Sequence, residues 1–305
     1  MNKILLFFRK LLGIQRVRQQ IAQARYDSRA CQLQEHILHD ESKGTTENNY
    51  FPYKVIVSLT TYGRRLDTVA ITIESLMQQT LKANRIVLWL DERLKEGEVP
   101  VSLQNQERRG LEIRYCKDIR AYKKLIPSLK TYPDDAILTV DDDVIYPYDL
   151  IERFVREHRA NPHLILCSKL RRMKIGKGGK LAPYREWEKG VTTLDDSMLN
   201  FPTGVGGVLY PPHSLDIEVF NEEAFMEICS SNDDIWFKAM SLKKGTLSKR
   251  ISSHSVNGID YIEDPEVQDI GLFHRNVGKN YNDKQIEAVF TKYHLYELLT
   301  QVQNG

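Results

Sequence analysis

From Pro52 onward, short apolar runs of strand length alternate with segments whose apolar residues recur at helical spacing. The runs are rich in β-branched residues, which favour strands, whereas the segments between them repeat apolar positions every three or four residues. This alternation is typical of a mainly parallel sheet with helices on both faces, so the sequence predicts an α/β fold. The predicted strands are 54–61, 85–90, 111–115, 136–140 and 164–167. The predicted helices are 67–79, 123–132, 147–159, 233–242 and 284–299.

The pattern divides the chain into an N-terminal arm and linker (1–50), an α/β domain (51–281) and a C-terminal helix packed on that domain (282–305). The first 14 residues join apolar stretches to Arg9 and Lys10. This run is too short and too interrupted to span a membrane, and no signal-peptide cleavage site follows it. A basic amphipathic helix on an anionic membrane surface fits the run, as does a helix packed on the protein itself or on a partner.

Composition narrows the class of protein. The 305 residues are 41% apolar, which supports a sizeable core. The net charge of +2 gives no global bias toward nucleic acid. The four cysteines are far apart and form no CxxC pair, so we expect buried thiols in a reducing compartment and neither a disulfide framework nor a zinc site.

The most informative stretch is 136–147, where an apolar run leads into Asp141, Asp142 and Asp143. The run predicts a buried strand. Three like charges at one strand end repel one another, so we expect a divalent cation there, and carboxylate oxygens favour Mg²⁺ or Mn²⁺. Asp142 is expected to point away from its neighbours, because adjacent strand residues face opposite sides. A solvated acidic turn is the alternative.

The predicted strand ends carry several other polar groups. Residues 60–65 follow the first strand, Asp91 the second, Asp118 the third and the acidic triplet the fourth. Ligands of open α/β sheets bind at the carboxyl ends of the strands. The sequence therefore predicts that these groups share one edge of the sheet.

Two further segments suit a ligand. Residues 202–212 are Gly-rich, which lets a ligand approach the backbone closely, although a tight loop before a strand is the alternative. The long polar segment 169–200 carries lysines and arginines that suit a phosphate or an anionic sugar, and a merely solvated basic loop fits equally well. Neither segment has the glycine spacing of a dinucleotide-binding loop or a P-loop.

Asp233 and Asp234 form a second acidic cluster. Ser231 or Asn232 is a suitable cap for the helix that follows, so both carboxylates fall in its first turn, where they also complement the helix dipole. Together with the triplet they suggest a two-part site. One cluster would hold a metal-bound leaving group, and the other would supply a general base.

The ordered set of strand, Asp-x-Asp at 141–143, Gly-rich strand and helix-opening acidic pair resembles the GT-A class of nucleotide-sugar glycosyltransferases. It is most similar to bacterial family 2-like enzymes and exostosin-like transferase domains, over about residues 53–292. The resemblance implies a Rossmann-like GT-A fold and metal-dependent, inverting transfer of a sugar from a nucleotide-diphosphate sugar. In that family the last Asp of the motif binds Mn²⁺ or Mg²⁺, which maps to Asp143, with Asp141 nearer the ribose or donor sugar. The base maps to Asp234, with Asp233 the next candidate.

The resemblance also implies a donor site. The tip of the first strand would hold the base and ribose, Asp118 and Lys124 would flank the base or phosphate, and the glycine pair would lie under the sugars. The implied contacts are Thr60, Tyr62, Arg64, Asp91, Asp118, Lys124, Asp141, Asp142, Gly206 and Gly207. Many relatives add a histidine ligand to the metal, for which we prefer His274 to His254. An ordinary surface histidine is the alternative for either.

Uridine is the commonest base among such relatives, so a UDP-sugar is the expected donor. The expected acceptor is a glycan or a lipid-linked molecule in the synthesis of a bacterial surface polysaccharide, such as lipopolysaccharide or capsule. The protein is then expected in the cytoplasm, on the inner face of the cell membrane, with residues 1–20 as the contact. Nucleic acid is not an expected partner.

Three other functions compete with this interpretation. A haloacid-dehalogenase phosphatase expects a later Gly-Asp motif, and the chain has no Gly-Asp dipeptide. A nucleotidyltransferase acting on sugar phosphates shares the fold and metal, but its loop after the first strand is rich in glycine, whereas 60–64 has one glycine. A degenerate, non-catalytic sugar-nucleotide-binding module would be expected to have lost an acidic cluster, and both clusters are present.

Overall fold

The computed structural model describes residues 2–255, 258–266 and 280–303. Its α-helices are α1 Asn2–His39, α2 Val69–Met77, α3 Val101–Arg108, α4 Ile126–Thr131, α5 Leu150–Ala160, α6 Glu222–Ile228, α7 Asp233–Lys244, α8 Tyr281–Lys292 and α9 Leu295–Gln303. Its strands are β1 Val55–Thr60, β2 Arg85–Asp91, β3 Leu111–Cys116, β4 Ala136–Thr139, β5 Val144–Ile145, β6 Ile165–Cys167, β7 Leu170–Arg172, β8 Asp196–Ser197, β9 Asn200–Pro202, β10 Val208–Tyr210, β11 Ser248–Arg250 and β12 Ile262–Glu263.

Eight strands form the central sheet, in the order β3-β2-β1-β4-β10-β6-β11-β8. Strand β1 pairs in parallel with β2 and β4, and β2 pairs in parallel with β3. Strand β10 runs antiparallel between β4 and β6. The predicted α/β fold with a mainly parallel sheet is therefore confirmed, and the carboxyl ends of β1 to β4 meet at one edge.

Alternating side chains of the sheet enter two cores. Val55, Val57 and Leu59 of β1 belong to one core, which also holds buried residues of α1, α2 and α5. Ile56 lies between them in sequence and belongs to the other core, with residues of α7, α8 and α9. Each fully buried aliphatic side chain of this kind contributes about 1.5–3 kcal/mol relative to an exposed one. The helices thus cover both faces of the sheet and fix the positions of its strand ends.

Two predicted helices are divided in the structure. The segment predicted as 123–132 contains a 3₁₀ turn, Arg120–Lys124, followed by α4 with a proline in its first turn. The segment predicted as 284–299 contains α8 and α9, separated at His294, whose φ is +54°. Such a left-handed residue interrupts helical hydrogen bonding. The break lets Phe290, Leu295 and Leu299 all reach the same core.

The C-terminal helix α8 supports the start of α7. Asn232 Nδ2 donates to Asn282 Oδ1 at 3.0 Å, and Gln285 Nε2 donates to Ser231 Oγ at 2.6 Å. Asn232, the N-cap residue of α7, makes no side-chain hydrogen bond to the backbone of that helix, and its side chain contacts α8 instead. The residues before the second acidic cluster are therefore held from outside α7.

Helix α1 is continuous across the predicted arm. Its last part is anchored on the domain, where Ala30, Leu33 and Ile37 are buried. Across the described part of the chain, no helix combines the length and the apolar character needed to cross a membrane.

Candidate active site

The acidic triplet lies just beyond the end of β4, and its members have different partners. Lys124 Nζ pairs with Asp141 Oδ1 at 3.0 Å. Arg65 pairs with both of the others, at 2.9 Å to Asp142 and 3.0 Å to Asp143. Asp142 is buried, whereas about a quarter of the Asp141 side chain is exposed. The triplet therefore presents Asp141 toward one side of the turn, and Arg65 gathers the other two carboxylates.

The turn that carries the triplet is held by hydroxyl groups. The backbone N–H of Asp141 donates to Tyr146 Oη at 2.9 Å, and the same hydroxyl donates to the carbonyl of Val205 at 3.1 Å. Thr72 Oγ1 of α2 donates to the carbonyl of Asp142 at 2.9 Å. Tyr146 thus ties the acidic turn to the Gly-rich segment. The sequence alone did not predict this role of Tyr146.

The second acidic cluster reaches the same place from α7. Lys124 Nζ also pairs with Asp233 Oδ2 at 3.1 Å, so this one ammonium group bridges the two clusters. The backbone N–H of Gly204 donates to Asp234 Oδ2 at 3.3 Å. The resemblance placed Lys124, with Asp118, at the base or phosphate of the donor, but it is Lys123 whose Nζ pairs with Asp118, at 2.6 Å. Lys124 instead occupies the centre of the candidate site.

Gly204 marks the point where the groups converge. A Cβ atom at this position would lie 2.8 Å from Lys124 Nζ, 3.3 Å from Asp234 Oδ1 and 3.4 Å from Asp141 Oδ1. The first distance is too short for any side chain without displacing the lysine. A side chain at this position would therefore displace the end of the Lys124 side chain from the carboxylates that it joins.

Burial shifts the protonation of several of these groups. Burial, reinforced by the charge of Asp233, raises the pKa of Asp234 to about 7. Burial also raises the pKa of Asp143 to about 7, with the charge of Asp141 adding to the effect and Arg65 opposing it. For Lys124, burial alone would lower the pKa, but the surrounding carboxylates raise it well above its ordinary range. A carboxyl group with a pKa near neutrality is suited to accept and release protons.

Among the residues that the structure describes, the carboxylates of the site outnumber the cations that form salt bridges with them. These cations are Arg65 and Lys124, and the five carboxylates are Asp141, Asp142, Asp143, Asp233 and Asp234. This excess of negative charge, with oxygen donors, suits a divalent cation. Within the described ranges, no three His, Cys, Asp or Glu side chains form a complete metal site. Magnesium sites in nucleotide enzymes need fewer than three protein side chains, because one or two carboxylates bind the ion together with substrate phosphates and water. Asp141 and Asp143 stay the predicted ligands of such an ion.

The predicted nucleoside residues lie along the ends of β1, β2 and β3. Thr60 Oγ1 donates to the carbonyl of Trp89 at 2.8 Å. Arg93 pairs with Asp91 and, at 3.1 Å, with Asp118, so one arginine joins the ends of two strands. The hydrogen bonds from Arg93 lower the pKa of Asp91 to about 2. The hydrogen bond from Lys123 likewise lowers the pKa of Asp118. Both aspartates are therefore held ionised at the same edge of the sheet as the acidic clusters.

The remaining predicted residues follow the first strand or lie in the Gly-rich turn. Tyr62 is half exposed, and the Arg65 guanidinium lies 5.7 Å from its ring centroid. Arg64 Nη2 donates to the carbonyl of Glu266 at 3.3 Å. Gly206 ends a 3₁₀ turn, where its carbonyl accepts from Ser168 Oγ at 2.6 Å, and Gly207 follows with φ of +94°. The glycine pair thus forms the bend that leads into β10.

The two candidate histidines are not brought to the acidic clusters by anything the structure describes. His274 lies outside the described residues. His254 pairs with Asp149, the residue just before α5. A histidine ligand for the metal therefore remains a prediction.

No family model and no curated protein matches the sequence. Among solved structures, the chain resembles S. aureus TarS 1–349 in complex with UDP, with 14% identity and a TM-score of 0.43 over 66% of this chain and 57% of that one. A second structure of S. aureus TarS 1–349 gives 16% identity and a TM-score of 0.46 over 79% of this chain and 71% of that one. The chain also resembles CMP:2-keto-3-deoxy-manno-octonic acid synthetase complexed with CTP, with 11% identity and a TM-score of 0.40. This match covers 73% of this chain and 99% of the synthetase chain. The UDP-bound match thus spans less than two thirds of that chain, and likeness this distant carries no functional argument.

Proposed function

We propose that the protein is a metal-dependent, inverting glycosyltransferase that moves a sugar from a nucleotide-diphosphate sugar to a glycan or lipid-linked acceptor. The observation that carries this proposal is the convergence of two acidic clusters, 90 residues apart in sequence, on Lys124 and Gly204. Displacement of a phosphate leaving group from a sugar carbon requires a group that neutralises the leaving phosphate and a base that deprotonates the attacking hydroxyl. One acidic cluster would hold a metal ion for the first role, and the other would supply the base. We take a UDP-sugar as the donor to be tested first.

In this proposal, Asp234 is the general base. Its pKa of about 7 lets it take the proton of the attacking acceptor hydroxyl and release that proton afterwards. Because the acceptor oxygen attacks as the diphosphate departs from the other side, the configuration at the anomeric carbon inverts. The Gly204 N–H and the Lys124 ammonium hold the acidic groups in place during this step.

Asp143 and Asp141 are the residues that would hold Mn²⁺ or Mg²⁺. When bound, such an ion would neutralise the charge of the departing diphosphate. Arg65, which already pairs with Asp143, keeps that carboxylate oriented at the turn. Asp91 and Asp118, ionised at the neighbouring strand ends, are the proposed partners of the ribose and base.

We also propose that α1 brings the enzyme to the inner face of a cell membrane during synthesis of a surface polysaccharide. Ile14, Val17 and Ile21 recur at helical spacing and are each about half exposed. Arg16 and Arg18 flank this stripe and are exposed. An apolar stripe bordered by arginines is the pattern of a helix that lies on an anionic lipid surface.

The proposal is tested by incubating purified protein with a panel of nucleotide sugars, with Mn²⁺, Mg²⁺ or a chelator. We expect metal-dependent release of the nucleoside diphosphate. A nucleotidyltransferase would instead release pyrophosphate from a nucleoside triphosphate and a sugar phosphate, so both reactions are assayed together. Absence of donor turnover and of nucleotide binding, with every sugar tested, would contradict the proposal.

A further inference from the structure

A buried lysine lies one helical turn beyond the proposed base. Lys238 follows Asp234 by four residues in α7, so the two side chains share a face of the helix. Only 3% of Lys238 is exposed. Its Nζ atom has no hydrogen-bond partner among the residues that the structure describes. Lysine is rarely buried without a partner, because desolvation of the ammonium group is costly.

The two residues line the same small cavity. Its volume is about 10 Å³, which is room for one water molecule. The polar lining is Tyr210, Asp234, Lys238, Ser241 and Ser248, and the remaining lining residues are apolar. Ser248 Oγ is also buried without a hydrogen-bond partner in the described structure, so two unsatisfied polar atoms line this cavity. A buried water needs two or more polar partners, and this cavity offers them.

Resting on the proposed function, we propose that Lys238 is a positioning residue for the base: one water molecule in this cavity joins its Nζ to the Asp234 carboxylate and keeps that carboxylate ionised. Lys124, a second cation near Asp234, is already paired with Asp141 and Asp233. Lys238 lies one turn further along α7, and within the described ranges its Nζ has no hydrogen-bond partner. It is therefore the group that can respond when Asp234 gains or loses a proton.

Charged and titratable groups from several elements act on the pair. Asp233 from α7, Asp141 from the acidic turn and Lys124 from the 3₁₀ turn act on Asp234. Cys167 of β6 acts on Lys238, and burial lowers the pKa of Lys238 to about 7. The lysine therefore gains its proton over the same pH range in which Asp234 would otherwise be neutralised. Its charge then favours the ionised carboxylate at the acidic end of that range.

The test is the pH profile of donor turnover in Lys238→Met, which has nearly the same length without the charge. Loss of a nearby cation raises the pKa of a carboxylate by about one unit or more. We expect the acidic limb of the profile to move up by about one pH unit, so turnover falls roughly tenfold at pH 6 and stays near wild type at pH 9. Lys244→Met, on the exposed end of the same helix, should leave the profile unchanged. A loss that is equal at every pH would overturn the proposal.

Two further measurements keep this test independent of the proposed function. If Lys238→Met does not fold, Lys238→Gln is used for the same profile. If the wild type turns over no donor, the proposed function fails, and Lys238 is tested by unfolding alone. Urea midpoints at pH 6 are compared for Lys238→Met, Asp234→Asn and the double variant. Non-additive midpoints would support the water-mediated pair, and additive midpoints would contradict it.

Discussion

Replacing Lys238 by methionine should stabilise the folded protein. Burial lowers the pKa of this lysine from its ordinary value of 10.5 to about 7. The unfolded chain holds the proton more tightly than the native state, so the native state is penalised wherever the unfolded lysine is charged. The penalty is complete below about pH 7, shrinks as the pH rises, and vanishes above about 10.5. Methionine fills the space without a charge to desolvate.

The size of the effect follows from the two pKa values. The difference between the two pKa values, at about 1.4 kcal/mol per pH unit, corresponds to a stability penalty of about 5 kcal/mol below pH 7. At pH 9 the native lysine is already neutral, and the remaining penalty is about 2 kcal/mol. We expect urea unfolding to give Lys238→Met a higher free energy of unfolding than wild type by several kcal/mol at pH 6, with a smaller gain at pH 9. The exposed control Lys244→Met should change stability by about 0.5 kcal/mol or less. A Lys238→Met protein that is less stable than wild type, or whose gain is the same at both pH values, would refute the reasoning.

Three further predictions concern the site and the arm. Gly204→Ala should lower donor turnover at least about tenfold, because its methyl group displaces Lys124 from the carboxylates and misplaced groups react slowly. The control is Gly13→Ala, since the space around Gly13 is open. Equal turnover in the two variants would contradict the steric argument. Arg65→Met should lower the free energy of unfolding by roughly 3–5 kcal/mol at pH 8, because two carboxylates each lose a salt bridge. The loss should be smaller at pH 5, where the carboxylates take up protons. Calorimetric melts at both pH values measure the loss, and a loss that does not depend on pH would speak against the argument. Deletion of residues 1–20 should release the protein from anionic vesicles in a flotation assay while donor turnover persists; unchanged vesicle binding would rule out that contact.

The fold was predictable because its strands are short, apolar and regularly spaced. The run 136–140 could be recognised as a buried strand, and its acidic end could be placed at the sheet edge from topology alone. The division of the C-terminal helix at His294 could not be predicted, because nothing in the surrounding sequence pattern separates one long helix from two. Helical periodicity continues on both sides of that residue, and only tertiary packing of Leu295 and Leu299 into the core selects the break.

The site was predictable as a set of acidic residues and not as a set of contacts. Asp141 and Asp234 were expected in one site, but the side chains that join them come from elsewhere in the chain. Lys124 was expected at the base or phosphate of the donor, but the 3₁₀ turn that carries Lys123 and Lys124 directs the first to Asp118 and the second to Asp141 and Asp233. Lys238 gave no signal, because a lysine within an amphipathic helix usually faces solvent.

Turnover by Asp234→Asn tests the central claim most directly. Asparagine keeps the shape of the side chain and can still accept from the Gly204 N–H, but it cannot take a proton from the acceptor. With the donor that the nucleotide-sugar panel identifies, we expect kcat to fall by about 10²–10⁴, while the affinity for the nucleoside diphosphate, measured by calorimetry with Mn²⁺, stays near wild type. Wild-type kcat in Asp234→Asn would contradict the account and move the role of base to Asp233.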